Sequence, residues 1–190
     1  LVLEARHRLL MSTPNNRIRL DLKYGMSLPI AKTEPDPFAL GRQGIEHQHI
    51  FFGTGTFDPR FGLQMEYSVG DFVFSSDTNW NGSLYTNEHG YRGPMSVLQR
   101  LTAGSAFGSK TWFPMLGIEL FKEFPARWKT QPAENSGRLE LSPSVALRAS
   151  ADSWSFMVLA KKPFILSAQA ASLDIPLILM VGLQTTFDTQ

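Results

Sequence analysis

The chain of 190 residues contains no cysteine, which excludes a disulfide framework, thiol catalysis and every metal site built on thiolates. Charge is also scarce, since 18% of the residues are Asp, Glu, Lys or Arg and the formal net charge is +1. Because nucleic-acid-binding surfaces need a clear basic excess, this balance argues against a nucleic-acid partner. No apolar run reaches the length of a membrane-spanning helix. The lack of a long apolar run does not exclude a transmembrane β-barrel, because its lumen-facing polar residues alternate with its lipid-facing apolar residues.

The length is that of one domain, and we expect residues 1–190 to form a single unit. The sequence begins at Leu1 without an initiator Met or a charged segment followed by an apolar one. We therefore expect a mature chain or a fragment, with any export signal outside it.

In place of long apolar runs, the chain has apolar and polar residues that alternate with a period of two. Residues 17–24 separate into apolar even positions and charged odd positions, and residues 61–69, 138–148 and 175–187 repeat the pattern. Less regular runs lie at 2–10, 48–53, 71–76, 94–106, 111–121 and 153–166. The pattern predicts an all-β fold and indicates no amphipathic helix.

The lengths and connections of these strands favour a membrane protein. Several candidates are about as long as the ~9–11 residues that a strand needs to cross a bilayer. Short turns are predicted at 69–71 and 149–153, and long polar loops at 32–48, 77–93 and 124–137. This asymmetry is typical of outer-membrane barrels, and so are aromatic residues near strand ends. We therefore predict an antiparallel transmembrane β-barrel of eight or more strands, with missing strands or shortened loops as an open alternative.

The charged positions of the alternating segments would face the lumen of such a barrel. In a narrow barrel these charges pair with one another, and in a wide one they line a water-filled path. The solvated face of an ordinary sheet is the alternative explanation. The predicted inward set is Arg17, Arg19, Asp21, Lys23, Glu66, Arg100, Glu119, Lys122, Arg138, Glu140 and Arg148.

Residues 44–59 (GIEHQHIFFGTGTFDP), together with 28–32 (LPIAK) and 87–92 (NEHGYR), resemble a known group of proteins. They are similar to outer-membrane β-barrels of the transporter-like group that includes the meta-pathway phenol-degradation barrel family. In that group a Gly-Thr-Gly turn leads into a strand that begins with Gly-Leu, here residues 61–63 (FGL). The resemblance implies an outer-membrane location and a transport role.

Two histidines have a spacing that suits a metal ion. His47 and His49 are two residues apart, so on an extended segment both point the same way and can chelate a divalent transition metal. Glu46, Glu88 and His89 would complete the site if the two long loops meet. A junction between loop and strand with no metal is the alternative.

We expect no enzymatic activity, because no nucleophile motif or carboxylate pair stands out. The glycines at 53 and 55 lack the Lys-Ser/Thr that follows in a phosphate-binding loop, so they predict a turn. The main hypothesis is an outer-membrane barrel of a Gram-negative bacterium that transports a small solute, with the lipid bilayer as its surroundings. One alternative is a structural anchor that binds a periplasmic or outer-membrane protein, with a metal at His47 and His49 as one means of attachment. Another is a soluble, lipocalin-like barrel, which would enclose the apolar face instead of exposing it.

Overall fold

A computed structural model describes residues 1–11, 17–33, 35–45, 53–107, 111–133, 136–151, 153–169 and 174–185. These residues form thirteen β-strands and one short helix. In chain order the elements are β1 Val2–Met11, β2 Arg17–Ser27, α1 Pro37–Arg42, β3 Asp58–Val69, β4 Phe72–Asn81, β5 Tyr91–Arg92, β6 Ser96–Ser105, β7 Trp112–Glu123, β8 Arg127–Trp128, β9 Gln131–Pro132, β10 Arg138–Ala151, β11 Trp154–Lys161, β12 Phe164–Ala168 and β13 Ile178–Thr185.

Ten of the strands form one antiparallel sheet in the order β1-β2-β3-β4-β6-β7-β10-β11-β13, and β12 also pairs with β10. The strands β5, β8 and β9 form a separate small sheet. The prediction of an all-β antiparallel fold is confirmed. The predicted strand at 48–53 lies mostly outside the described residues.

Strands β11 and β12 pair with successive parts of β10, and Pro163 lies between them. Residues 144–151 of β10 pair with β11, and residues 138–141 pair with β12. Between them, Lys162 N donates a hydrogen bond of 3.1 Å to the carbonyl of Pro143. Because proline has no N–H to donate, the regular ladder breaks there and resumes one residue later.

The two edges of the large sheet are β1 and β13. No strand pairing joins these two strands to each other in the part of the chain that the structure describes. A closed barrel is therefore not found there, and the sheet is a single layer of long strands.

The connections alternate between short and long, as predicted. One end of the sheet, here called the turn end, carries the short links, such as residues 70–71 between β3 and β4 and 152–153 between β10 and β11. The opposite end, called the loop end, carries the long links, which include α1 and the small sheet. The polar loop predicted at 77–93 starts too early, because β4 runs on to Asn81. Its polar residues Asp77 and Asn79 belong to one face of the sheet rather than to a loop.

The register sorts side chains onto two faces. Ile18 pairs with Tyr67, Leu20 with Met65 and Leu22 with Leu63, so apolar residues of neighbouring strands share one face, here called the apolar face. The opposite face, called the polar face, carries the alternate residues.

The burial of side chains on the two faces is the reverse of that in most soluble proteins, where apolar side chains are buried and polar ones are exposed. Asp21, Glu119, Glu140 and Ser142 on the polar face are buried, whereas many large side chains of the apolar face are exposed and none is buried. Among the described residues, the buried apolar side chains are those of Ala126 and Ala133 in the loops and of Pro163 between β11 and β12. The sheet therefore has no apolar core of its own, unlike the two-layer sheets of ordinary soluble domains.

Candidate functional site: the polar face and the loop-end cap

The register brings ten of the eleven residues predicted to point inward onto the polar face. Arg19 pairs with Glu66 between β2 and β3, and Arg100 of β6 pairs with Glu119 of β7. The ten residues are Arg17, Arg19, Asp21, Lys23, Glu66, Arg100, Glu119, Arg138, Glu140 and Arg148.

Lys122 is the exception, and its predicted inward orientation is wrong. It pairs with Leu139 and Val97, which both belong to the apolar face. Its ammonium nitrogen lies 5.7 Å from the centre of the Phe124 ring, near the loop end of β7. A lysine at a strand end can hold its apolar stem along the sheet and its charge beyond it, which is the arrangement seen here.

The carboxylate of Asp21 is the centre of the first charge cluster. Arg6 Nε donates a 2.7 Å hydrogen bond to Oδ2, Arg19 Nε donates one of 2.8 Å to the same oxygen, and Arg8 Nε donates one of 3.2 Å to Oδ1. Arg6 also reaches Gln64 Oε1 on β3 at 2.9 Å. Three guanidinium groups thus surround one buried carboxylate, and they join β1, β2 and β3.

The second cluster spans β2 and β4 without using the strand between them. Lys23 Nζ donates a hydrogen bond of 2.9 Å to Asp77 Oδ1. The residue of β3 that is registered with Lys23 is Gly62. A Cβ atom at Gly62 would lie 2.6 Å from Asn79 Oδ1 and 3.3 Å from Lys23 Cβ, so the glycine keeps this part of the polar face open.

The third cluster is built on Glu119. Arg100 donates to Oε2 from both Nε, at 3.0 Å, and Nη2, at 2.7 Å, while Lys161 Nζ donates to Oε1 at 2.9 Å. Both carboxylate oxygens are therefore used, by cations on β6 and β11. Hydrogen bonds between an ionised donor and a carboxylate are stronger than those between neutral groups.

Aromatic rings hold two further arginines of the polar face. The Arg138 guanidinium lies 5.0 Å from the Phe121 ring centre, and its Nε is 3.6 Å from Glu140 Oε2. Arg148 lies 4.8 Å from the ring centre of Phe113. Cation–π contacts of this kind orient a guanidinium without neutralising its charge.

Sequence reasoning missed four partners in these clusters: Arg6, Arg8, Asp77 and Lys161. The period-two signal was present for the first two, since Arg6 and Arg8 alternate with Ala5 and His7. His7 pairs with Leu22 and lies exposed on the apolar face. No local pattern identifies Lys161 as a partner of Glu119, because the two are 42 residues apart.

The polar face also contains an apolar area toward the turn end. Met115 is registered with Ala146, which is registered with Leu159, and Met157 pairs with Arg148. These side chains are partly buried. The charged clusters therefore lie nearer the middle of the sheet, and these apolar side chains lie nearer the turns.

At the loop end, hydroxyl groups converge on the carboxylate of Asp58. Thr54 donates to Oδ2 at 2.6 Å, while Thr56 and Ser83 donate to Oδ1 at 2.6 and 2.7 Å. Thr56 and Ser83 are fully buried. The predicted turn is confirmed at Gly55, whose φ of 72° favours glycine.

A second set of contacts joins this turn to the loop after β4. Asn87 Nδ2 donates to the carbonyl of Thr54 at 2.9 Å, and Asn87 Oδ1 accepts bonds of 2.9 Å from His89 N and Tyr91 N. Arg92 Nε donates to the carbonyl of Ser83 at 3.1 Å. Residues 53–58 and 83–92 therefore form one packed unit, called the loop-end cap.

The predicted metal ligands His47 and His49 lie outside the described residues, as does Glu46. Of the remaining candidates, His89 Nε2 lies 3.5 Å from Glu88 Oε1. Within the described ranges there is no group of three or more His, Asp or Glu side chains that could hold a metal ion. The hypothesis of a metal site at His47 and His49 therefore remains a prediction.

No protein-family model, curated protein or solved structure matches the chain. Among the described residues, no helix has both the length and the apolar character needed to span a membrane.

Proposed function

We propose that the sheet forms the wall of a β-barrel in the outer membrane of a Gram-negative bacterium, and that the barrel transports a small solute by passive diffusion. The observation that carries the proposal is the inverted burial of the two faces. The polar face holds the buried carboxylates, and the apolar face is exposed along strands of up to 14 residues.

The exposed apolar side chains are too many for a single layer in water. Leu116, Val145, Val181 and Leu183 are 55–70% exposed although each lies within a strand. Burial of such a side chain contributes about 1.5–3 kcal/mol. A lipid environment supplies that burial, and a single layer of sheet in water does not.

Aromatic side chains lie where the interfaces of a bilayer would be. Trp112 and Trp154 are the first residues of β7 and β11 at the turn end, and both are exposed. At the loop end, the rings of Phe61 and Trp80 lie 5.7 Å apart on neighbouring strands. Tryptophan and other aromatic residues favour the interfacial regions on both sides of a bilayer.

The proposal requires that β1 and β13 be joined, either directly or through further strands. A bilayer does not tolerate the free N–H and C=O groups of an open sheet edge. The long loops and the loop-end cap would then lie at one mouth of the barrel, and the short turns at the other.

The lipocalin-like alternative requires the apolar face to be enclosed, including the half-buried row formed by Ile18, Leu20 and Leu22. The exposure of Leu63 and Met65, which pair with Leu22 and Leu20 on that face, disfavours it. The anchor alternative draws support from the ion pairs. The clusters on Asp21, Asp77 and Glu119 use the charges to connect strands, and such clusters can fill a narrow lumen.

Conductance of the purified protein in planar lipid bilayers tests the proposal. We expect the protein to need detergent for solubility and to produce discrete conductance steps after insertion. A protein that stays monomeric and dispersed in plain buffer would overturn the membrane proposal. Protease-protected insertion without conductance would overturn the transport role and support the anchor.

A further inference from the structure

A cleft of about 650 Å³ lies at the loop end, between α1 and the hairpin of β8 and β9. Its volume is within the range of about 300–1,000 Å³ that is typical of small-molecule sites. The cleft lies apart from the charge clusters of the polar face.

Much of the cleft wall is apolar. Ala39 and Leu40 line the side formed by α1, and Pro132 and Ala133 line the side formed by the hairpin. Trp128 adds a large aromatic surface. Such a wall suits the apolar body of an organic molecule and gives no stabilisation to a small hydrated ion.

The aromatic part of the wall is held in place from behind. The rings of Trp128 and Tyr91 lie 4.7 Å apart, and their strands pair with each other in the small sheet. Tyr91 N in turn donates to Asn87 Oδ1 in the loop-end cap. The surface that Trp128 offers is therefore positioned before any ligand arrives, which lowers the entropic cost of binding.

The charges that line the cleft favour an anion. Lys129 and Arg42 contribute two permanent positive charges, and Asp36 contributes one negative charge. The Asp36 carboxylate also accepts a hydrogen bond of 3.2 Å from Ala39 N. His89 also lines the cleft. Its Nε2 lies 3.5 Å from Oε1 of Glu88, and Glu88 itself does not line the cleft.

Lys129 also stands out by its backbone conformation. Its φ of 55° is the only positive φ among the non-glycine residues that the structure describes. Its N–H donates a hydrogen bond of 2.6 Å to the carbonyl of Gly90, which fixes the turn between β8 and β9. A lysine in this region is strained relative to glycine, and such strain is concentrated at functional sites.

We propose that this cleft binds an amphipathic organic anion, with a flat apolar body against Trp128 and a carboxylate at the Lys129 ammonium. The site rests on the geometry of the cleft and does not require passage through a membrane. Its failure is therefore distinguishable from a failure of the proposed transport function.

Isothermal titration calorimetry with 2-naphthoate tests the site, and the neutral 2-naphthalenemethanol serves as the paired probe. The folded full chain is titrated in nonionic detergent, with detergent alone as the blank. We expect 2-naphthoate to bind the wild-type chain about three- to tenfold more tightly than the alcohol, which is the range of a partly exposed charge contact.

Three variants locate the contact. Lys129→Asn keeps a residue that tolerates a positive φ and removes the charge, so it should abolish the preference for the anion and leave alcohol binding unchanged. Lys129→Arg should retain the preference. Ala39→Trp should fill the cleft and abolish binding of both probes.

Lys122→Gln, on the apolar face, is the matched control and should leave the preference unchanged. Equal binding of the two probes to the wild-type chain would overturn the proposal, and so would the absence of binding by either. An equal loss in Lys122→Gln and Lys129→Asn would also overturn it, because it would reflect net charge rather than the cleft.

Discussion

Lys161 Nζ donates a hydrogen bond of 2.9 Å to Glu119 Oε1, although β10 lies between the strands that carry the two residues. The residue of β10 that is registered with Lys161 is Ser144, which is in turn registered with Gly117. The Lys161 side chain can reach across β10 because Ser144 and Gly117, which lie beneath it, are small. Such bonds connect strands that do not pair with each other in the ladder, here β7 and β11.

Replacement of Lys161 tests that role. Lys161→Gln removes one of the two positive charges that contact the buried Glu119, while Arg100 remains. We expect the free energy of unfolding in detergent micelles, measured by urea titration, to fall by about 1–2 kcal/mol.

A lysine at an exposed turn supplies the control for that substitution. Lys129 lies exposed in the turn between β8 and β9, so Lys129→Gln should change the stability by less than about 0.5 kcal/mol. Equal effects of the two substitutions would contradict a special role for the bond across β10.

Val145, in the middle of β10 on the apolar face, tests contact with lipid. Val145→Arg should destabilise the protein folded in a bilayer by about 2–4 kcal/mol, because the charge would lie near the midplane. Val69, the last residue of β3 on the same face, is the matched control. Val69→Arg should cost at most about 1 kcal/mol near the interface. Similar small effects at both positions would count against a bilayer around this face.

Thr56 tests the loop-end cap. Thr56→Val keeps the shape of a fully buried side chain but removes the hydroxyl that donates to Asp58, which should cost about 1–3 kcal/mol. Limited proteolysis should then cut the long loops faster than in the parent chain. Thr130→Val, at an exposed position, is the control and should leave the cleavage rate unchanged.

Tyr91 gives the loop end a pH dependence. Burial raises the pKa of its phenol, and the nearby carboxylates of Glu123 and Asp58 raise it further. Because the folded chain holds this proton more tightly than the unfolded chain, the contribution of the phenol to stability is complete below about pH 10. The contribution is lost as the pH rises through the folded pKa.

Absorbance of the tyrosines at high pH measures this effect. A late-titrating component should be present in the folded chain and absent from Tyr91→Phe, while Tyr85→Phe should retain it. If Tyr91→Phe leaves the titration curve unchanged, the environment assigned to Tyr91 is wrong.

The sequence predicted the strands best where apolar residues alternate with polar or small ones. Residues 17–24, 61–69 and 138–148 lie within β2, β3 and β10, because a period of two is the geometry of a strand. Prediction was poorer where both faces carry apolar residues. In β7, Phe113 and Met115 lie on the polar face beside the charged clusters, so alternation is lost and Lys122 was assigned to the wrong face.

The small sheet and the loop-end cap were not predicted as units. Strands β5, β8 and β9 have two residues each, which is too short for any periodic pattern. The buried hydroxyls around Asp58 come from residues up to 25 positions away, and nothing local distinguishes Ser83 from the other serines.

The sequence by itself determined that this chain forms long antiparallel strands with one apolar and one charged face, since alternation along a strand is a local property. The tertiary structure alone decided which charges meet, because the register between strands sets those distances. It placed Lys23 against Asp77 over Gly62, and Lys161 against Glu119 over Ser144. It also left carboxylates of the polar face buried and many large side chains of the apolar face exposed, because burial depends on which side chains of neighbouring strands pack around a residue.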